Sequence, residues 1–294
     1  MNFADNYYQK TLVAKLFGKD DLLTVFCAAT NMPLVECSEE ECADRVFVFE
    51  KEENLKEFSK KYAQRKLPLK GILFPVKDKM KFFASIACIG VDELVYMDSR
   101  GEHVIPLNQF IRKKDFSNLP REQQPIENPA LQLSGIYFLQ EACRMVPMEE
   151  KKNLKELEEE MAANILKATF ILAVEPQTGA ESEEPSKTQQ PGRELSELGT
   201  EPPEQALSQP KPQQQALRIP LVKAKNGDLL QPLFTDHIEF TKYNKDNKYK
   251  ALAVPFATLD KILAKEAKGY MMNPNGFHLI LTREQVKALP ARFS

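Results

Sequence analysis

Apolar positions recur along this chain at two spacings, and the spacings alternate in an ordered series. Over residues 3–17, Tyr8, Leu12, Val13 and Leu16 fall on one face at helical spacing, and Gly18 is placed to end the helix. Leu22 to Ala28 reads as a strand, Asn31 to Val35 opens another, and Arg45 to Phe49 is a third. Glu52 to Gln64 predicts a charged amphipathic helix with Leu55, Phe58 and Tyr62 inward. Leu73 to Val76 reads as a short edge strand, because Pro75 cannot donate to a ladder. Lys77 to Ile89 predicts a helix with Met80, Phe83 and Ala87 on its inward stripe. Val95 to Pro106 then reads as strand, turn and strand.

The same order returns in the second half. Ile219-Pro220-Leu221-Val222 answers Met32-Pro33-Leu34-Val35, and Leu233-Phe234-Thr235 answers Val48-Phe49-Glu50. Phe240 and Tyr243 keep the spacing of Leu55 and Phe58, and Val254-Pro255-Phe256 answers Phe74-Pro75-Val76. Tyr270 to Leu281 repeats the strand–turn–strand unit, with Asn273, Gly276 and His278 set against Asp98, Gly101 and His103. Asp or Asn can bond its own downstream backbone, Pro274 pre-sets φ, and Gly is expected to supply a positive φ at both turns. Self-similarity in order decides the fold before any single element does. The expectation is an α+β protein of two tandem copies of one mixed module, residues 1–146 and 147–294.

Between the copies, Ala130 to Met145 and Glu149 to Leu166 predict helices, and Lys167 to Val174 a buried strand. Residues 175–217 are different material: no aromatic residue, no Ile, no Val, and seven prolines among Glu, Gln, Ser and Lys. Such a composition cannot bury enough apolar surface to offset the entropy of ordering. It is expected to be a disordered insertion inside the second module.

Composition narrows the function. A formal net charge of −2 with 28% charged residues does not describe a basic nucleic-acid binder. The longest nearly apolar run, Phe82 to Val91, is too short to span a bilayer, and Asp5, Lys10 and Lys15 interrupt any export signal at the N-terminus. Five cysteines give no even framework, which fits a reducing, cytoplasmic setting. The chain carries no G-x-S-x-G, G-x-x-x-x-G-K, G-x-G-x-x-G or H-E-x-x-H. Cys37 and Cys42 form a lone C-x4-C, a poor zinc signal. His103 and His278 could face a shared ligand if the modules paired, but a ring bonded to its own turn is the simpler reading. Asp236, beside His237, is explained as a helix cap. No metal, cofactor or catalytic residue is expected.

The run Leu217 to Val222, then Asn226-Gly227-Asp228, Pro232 to Asp236, Val254-Pro255-Phe256 and Met272-Asn273-Pro274 resembles the N-terminal domain of the SseB family, named for enhanced serine sensitivity. The first copy departs from this pattern, with Phe49-Glu50-Lys51 for Phe-Thr-Asp and Asp98-Ser99 for Asn-Pro. The resemblance implies a cytoplasmic α+β protein and brings no mechanism with it. The expected function is non-catalytic: a protein-interaction or regulatory module whose second copy keeps the binding face, around Phe234, Thr235, Asp236, Asn273 and Pro274. The other expectation is a small-molecule sensor, for an amino acid among other ligands, with a groove between the modules.

Overall fold

The structure, a computed structural model, describes residues 3–112, 115–120, 123–176 and 218–293, with residues 3–7 described by backbone alone. Helix α1 (Phe3–Leu16) leads into strand β1 (Leu22–Cys27), followed by β2 (Met32–Pro33), β3 (Glu36–Ser38) and β4 (Ala43–Phe49). Then come α2 (Glu52–Gln64), β5 (Leu69–Phe74), α3 (Lys79–Ile89), and a hairpin of β6 (Glu93–Asp98) and β7 (Gly101–Pro106). Helices α4 (Pro129–Ala142) and α5 (Leu154–Lys167) precede the second sheet. That part holds β8 (Thr169–Val174), β9 (Val222–Lys223), β10 (Leu229–Phe234), α6 (His237–Tyr243) and β11 (Lys250–Pro255). It closes with α7 (Leu259–Ile262), β12 (Gly269–Met272), β13 (Leu279–Thr282) and α8 (Arg283–Ala288).

The chain is α+β, with two mixed sheets. In the first, β1 lies antiparallel to β5 on one side and to β4 on the other. β4 runs parallel to β6, which turns back into β7. In the second, β8 lies antiparallel to β11 and to β10, β10 runs parallel to β12, and β12 turns back into β13. The strand order and directions agree from β1 to β7 and from β8 to β13. A 3-10 turn follows β5 at Val76–Asp78 and follows β11 at Phe256–Thr258, each just after a proline.

Residues alternate between two faces along these strands, as a two-residue period requires. Val46 and Val48 join one core, and Phe47 and Phe49 another. Phe170, Leu172 and Val174 join the first of these too, whereas Ile171 and Ala173 pack elsewhere with Phe234 and Phe240. One continuous core therefore takes the inner faces of both sheets together with Leu12 and Leu16 of α1, Phe83 and Ile86 of α3, Ile136 of α4 and Ile165 of α5. Each outer face is closed by its own helix: Phe58 and Tyr62 of α2 on the first sheet, Phe240 of α6 on the second. Each such buried side chain stabilises by about 1.5–3 kcal/mol, and the shared core makes the modules one packed body.

Helix α4 is bonded to both modules. Its Gln140 side chain takes the Val35 N–H (3.0 Å) and donates to the Val35 carbonyl (2.9 Å), as a neighbouring strand would. Tyr137 donates its hydroxyl to Asp44. At the other end Gln132 donates to Asp236 at 2.6 Å.

Three local expectations change. β5 ends at Phe74, so Pro75 lies outside the ladder and opens the 3-10 turn. Met80 is 55% exposed; the buried stripe of α3 is Lys79, Phe82, Phe83, Ile86 and Ala87. Lys79 is tolerated there because its ammonium bonds the carbonyls of Leu16 (3.0 Å) and Gly18 (3.1 Å). α5 begins at Leu154 rather than Glu149, after a separate turn at Met148–Glu150 and a left-handed Asn153 (φ 49°). The insertion expected over 175–217 lies outside the described residues beyond Pro176. Its two ends meet, for Glu175 N–H donates to the Arg218 carbonyl at 2.9 Å.

Candidate binding groove

Strand β10 ends at Phe234, and the next two residues turn beneath α4 into α6. Asp236 caps α6: its Oδ1 accepts the N–H groups of Ile238 (2.7 Å) and Glu239 (2.9 Å). Its Oδ2 accepts the Thr235 hydroxyl (2.8 Å) and the Gln132 amide (2.6 Å). Asn273, just past β12, is left-handed (φ 48°). Its Oδ1 accepts the Thr235 N–H (3.0 Å) and its Nδ2 donates to Thr235 Oγ1 (2.9 Å). Asn128 Nδ2 reaches the carbonyls of Thr169 (2.8 Å) and Thr235 (2.6 Å). In the first sheet the matching link is plain backbone, from Glu50 N–H to the Met97 carbonyl at 2.9 Å.

The residues expected to form a binding face are thus brought together but not displayed. Phe234, Thr235 and Asn273 are 0% exposed and Asp236 1%, leaving only Pro274 half-buried. They are almost wholly enclosed, and of these four only Asp236 reaches the lining of a surface hollow. They form a buried polar knot that fixes the start of α6. Glu239 joins it from below, 3% exposed and bonded to Lys242. Burial pushes its carboxyl up, with Lys242 pulling the other way. Its Oε2 and the Oε1 of Gln132 have no hydrogen-bond partner among the described residues.

The accessible surface lies one layer out, where α6 faces α3 across the junction of the modules. A groove of about 660 Å³ opens there. Its floor is Phe26, Met32, Phe74 and Phe82 of the first module, and Lys81 and Lys242 stand on opposite rims. A smaller hollow of about 290 Å³ continues past Ala84, His237 and Ile238, which line both. A third, polar cleft beside Tyr62 and Tyr137 holds Arg65 and Arg144. Those arginines are already paired, with Glu36 at 2.8 Å and Glu141 at 2.6 Å.

The two turns differ in build. Asp98 and Gly101 close a two-residue hairpin around Ser99 and Arg100, with Gly101 at φ 127°. His103 Nε2 lies 3.0 Å from Asp98 Oδ1 and 3.1 Å from the Tyr8 hydroxyl, and Arg100 Nη2 reaches Asp98 Oδ2 at 2.9 Å. Burial pushes Asp98's carboxyl up, but the bonds from His103 and Arg100 outweigh it and hold the group well below the usual carboxylate range. The second turn runs over six residues, Asn273 to His278, with positive φ at Asn273 and His278 and not at Gly276. Gly276 is needed for space, since a Cβ there would lie 2.6 Å from Glu239 Oε2.

The equivalence of His103 and His278 also fails, by one residue. Tyr96 pairs with His103 and Met272 with Leu279, while His278 is exposed and sits before β13. Slipping a strand by one residue turns every side chain to the other face, and the register sets buried Ile105 and Leu281, not Ile280, in like places. No metal centre joins the histidines: among the described residues no group of three or more His, Cys, Asp or Glu is placed to hold an ion.

Sequence reading missed Gln132, Asn128 and Glu239, and it missed the groove. Gln132 had a signal, a polar residue between Leu131 and Leu133 on an apolar helix. The groove had none, because its floor and far wall come from segments more than 150 residues apart.

Among the described residues no helix is long and apolar enough to cross a membrane. No curated protein and no solved structure matches the chain at a significant level. Residues 149–288, which take in α5 through α8 and therefore the whole polar knot except its contacts from Asn128 and α4, match the family model described as the SseB protein N-terminal domain.

Proposed function

We propose that this chain is a non-catalytic, cytoplasmic binding protein that engages a protein partner through the groove between its modules. The observation that carries this reading is the groove itself, an open apolar trough built jointly by α3 and α6. The polar residues that might have suggested chemistry are engaged in structure: Asp236 caps α6, Asn273 closes β10, and Asp98 and His103 close a hairpin. We also infer that the modules are divergent copies, residues 1–146 and 147–294, on the strength of their common strand plan. The boundary leaves α4 with the first copy although it bonds both. In this reading the expected residues Phe234, Thr235, Asp236 and Asn273 support binding indirectly, by holding α6 as the groove's wall. Exposed, unpaired Cys37 and Cys42 support a reducing compartment.

A second reading, the small-molecule sensor, is favoured by the groove's volume of about 660 Å³, inside the range of about 300–1,000 Å³ typical of ligand sites. The experiment separates the two. A photo-crosslinking residue at position 84, in the native cell, should capture one protein of defined mass, and the same residue at exposed Glu159 should not. Capture of nothing at 84, with a metabolite co-purifying in proportion to the wild-type protein, refutes the protein-partner reading in favour of the sensor.

A further inference from the structure

We infer that the groove takes an amphipathic helix of a partner protein, one whose apolar stripe is flanked by carboxylates at the Lys81–Lys242 end; this rests on the binding function proposed above. The shape argues for an elongated occupant. Two hollows, about 660 and about 290 Å³, run into each other past Ala84 and Ile238. The walls argue for a helix. α3 and α6 present residues at spacings of three and four along the trough, Lys81 and Ala84 on one side and Ile238, Thr241 and Lys242 on the other. Such rows are the ridges between which a third helix packs. α3 has 11 residues, so the trough accepts a helix of about three turns, read through anchors three and four positions apart.

Charge selects the flanks. Lys81 and Lys242 are the charged side chains on the larger hollow, and no carboxylate lines it among the described residues. Lys81 reaches Asp78 at 2.9 Å with its side chain 82% exposed, an exposed pair that holds it only weakly. Lys242 pairs with Glu239, which is buried beneath it, while the Lys242 side chain itself is 38% exposed. Glu127 lines the smaller hollow at the other end. A helix places its negative pole at its C-terminus, so the C-terminal turn lies over the lysines.

The test uses the full chain and fluorescein-labelled synthetic helices about as long as α3. One carries Leu at helical spacing with Glu on its flanks, a second has Lys for each Glu, and a third scrambles the Leu spacing. Laurate serves as a non-peptide amphipathic carboxylate. Anisotropy should show the first peptide bound at least about tenfold tighter than the other two, a margin worth about 1.4 kcal/mol. Ala84→Trp and Thr241→Trp, one on each wall and both at exposed positions, should each abolish binding, so either suffices if the other misfolds. Lys81→Glu should weaken the Glu peptide and strengthen the Lys peptide. Equal binding of all three peptides, blocked by the Trp variants, overturns the helix and charge selection while leaving the groove as a binding site. Laurate binding without peptide binding, blocked likewise, overturns the protein partner itself. Peptide binding untouched by both folded Trp variants overturns the groove.

Discussion

Asn273 tests the polar knot most directly, since two separate terms meet in it. Its side chain accepts the buried Thr235 N–H at 3.0 Å, and its backbone is left-handed at φ 48°. Replacing it with alanine leaves a fully buried N–H without an acceptor, at about 1–3 kcal/mol. It also forces a residue with a Cβ and no compensating amide into the left-handed region, at about 1–2 kcal/mol. Asn273→Ala should therefore cost about 2–5 kcal/mol. Asn273→Gly loses the acceptor but not the backbone freedom, and should cost only the first term. The difference between the two, about 1 kcal/mol or more, isolates the conformational part. Guanidinium unfolding of the two variants and the wild type, followed by far-ultraviolet circular dichroism, measures both numbers. If both variants fall within about 0.5 kcal/mol of wild type, the range of an ordinary surface change, the knot does not hold β10 to β12. If alanine is the milder of the two, the left-handed assignment is wrong.

The two turn glycines should fail for different reasons. Gly101→Ala meets no atom within 4 Å and should cost about 1–3 kcal/mol from backbone strain alone, whereas Gly276→Ala should cost because its Cβ meets Glu239. A double-mutant cycle with Glu239→Ala should relieve the second and not the first, and additivity at 276 refutes the steric account. Asp98 carries a depressed carboxyl, so the stability it contributes is present above its unfolded value of 3.8 and is lost as pH falls through the folded one. Asp98→Asn should lower stability by about 1–3 kcal/mol at neutral pH and lose that acid-side slope in urea titrations; an unchanged slope refutes it. Glu239 has the opposite sign. Its raised carboxyl holds a proton in the folded state above 4.5, so its contribution is fullest below 4.5 and declines as pH rises through the folded value. Relative to Glu239→Gln, the wild type should thus lose stability as pH rises above 4.5; a flat difference sinks the assignment.

The sequence carried the elements well because each leaves a local trace. The inward positions of α2 and the Asp236 cap of α6 were both legible from the sequence. Register was not. Asp98, Gly101 and His103 align by identity with Asn273, Gly276 and His278, yet the ladders shift the match by one, so that Tyr96 and Met272 hold like places. Identity in a turn reports turn chemistry, and the register is fixed by which side chains must be buried. Burial was also misjudged where polarity suggested display. Thr235, Asp236 and Asn273 read as an exposed polar face, but they satisfy one another and so can be enclosed. Helical spacing from Phe83 and Ala87 sets Met80 inward, but the stripe that is buried runs through Lys79, Phe82 and Ile86, held by the bonds of Lys79, and leaves Met80 outside.

The two halves of the chain reach the same strand plan by different chemistry, and the difference falls on the groove. In the first module, α2 has 13 residues and buries Phe58 and Tyr62, so packing alone can hold it. In the second, α6 has 7 residues, too few to persist as a helix without tertiary support. Its support is Phe240, buried against Phe234, together with the Asp236 cap, tied through Thr235 to Asn273 and through Gln132 to α4. The first module needs no such knot, and there Lys51 stands before its helix with no side-chain cap. α6 is also the helix that forms the groove's second wall. A wall only two turns long, facing an apolar trough, keeps its position by polar bonds made at its N-cap together with the burial of Phe240. The residues that a sequence reader would choose as a binding face are thus the ones that set where the wall stands.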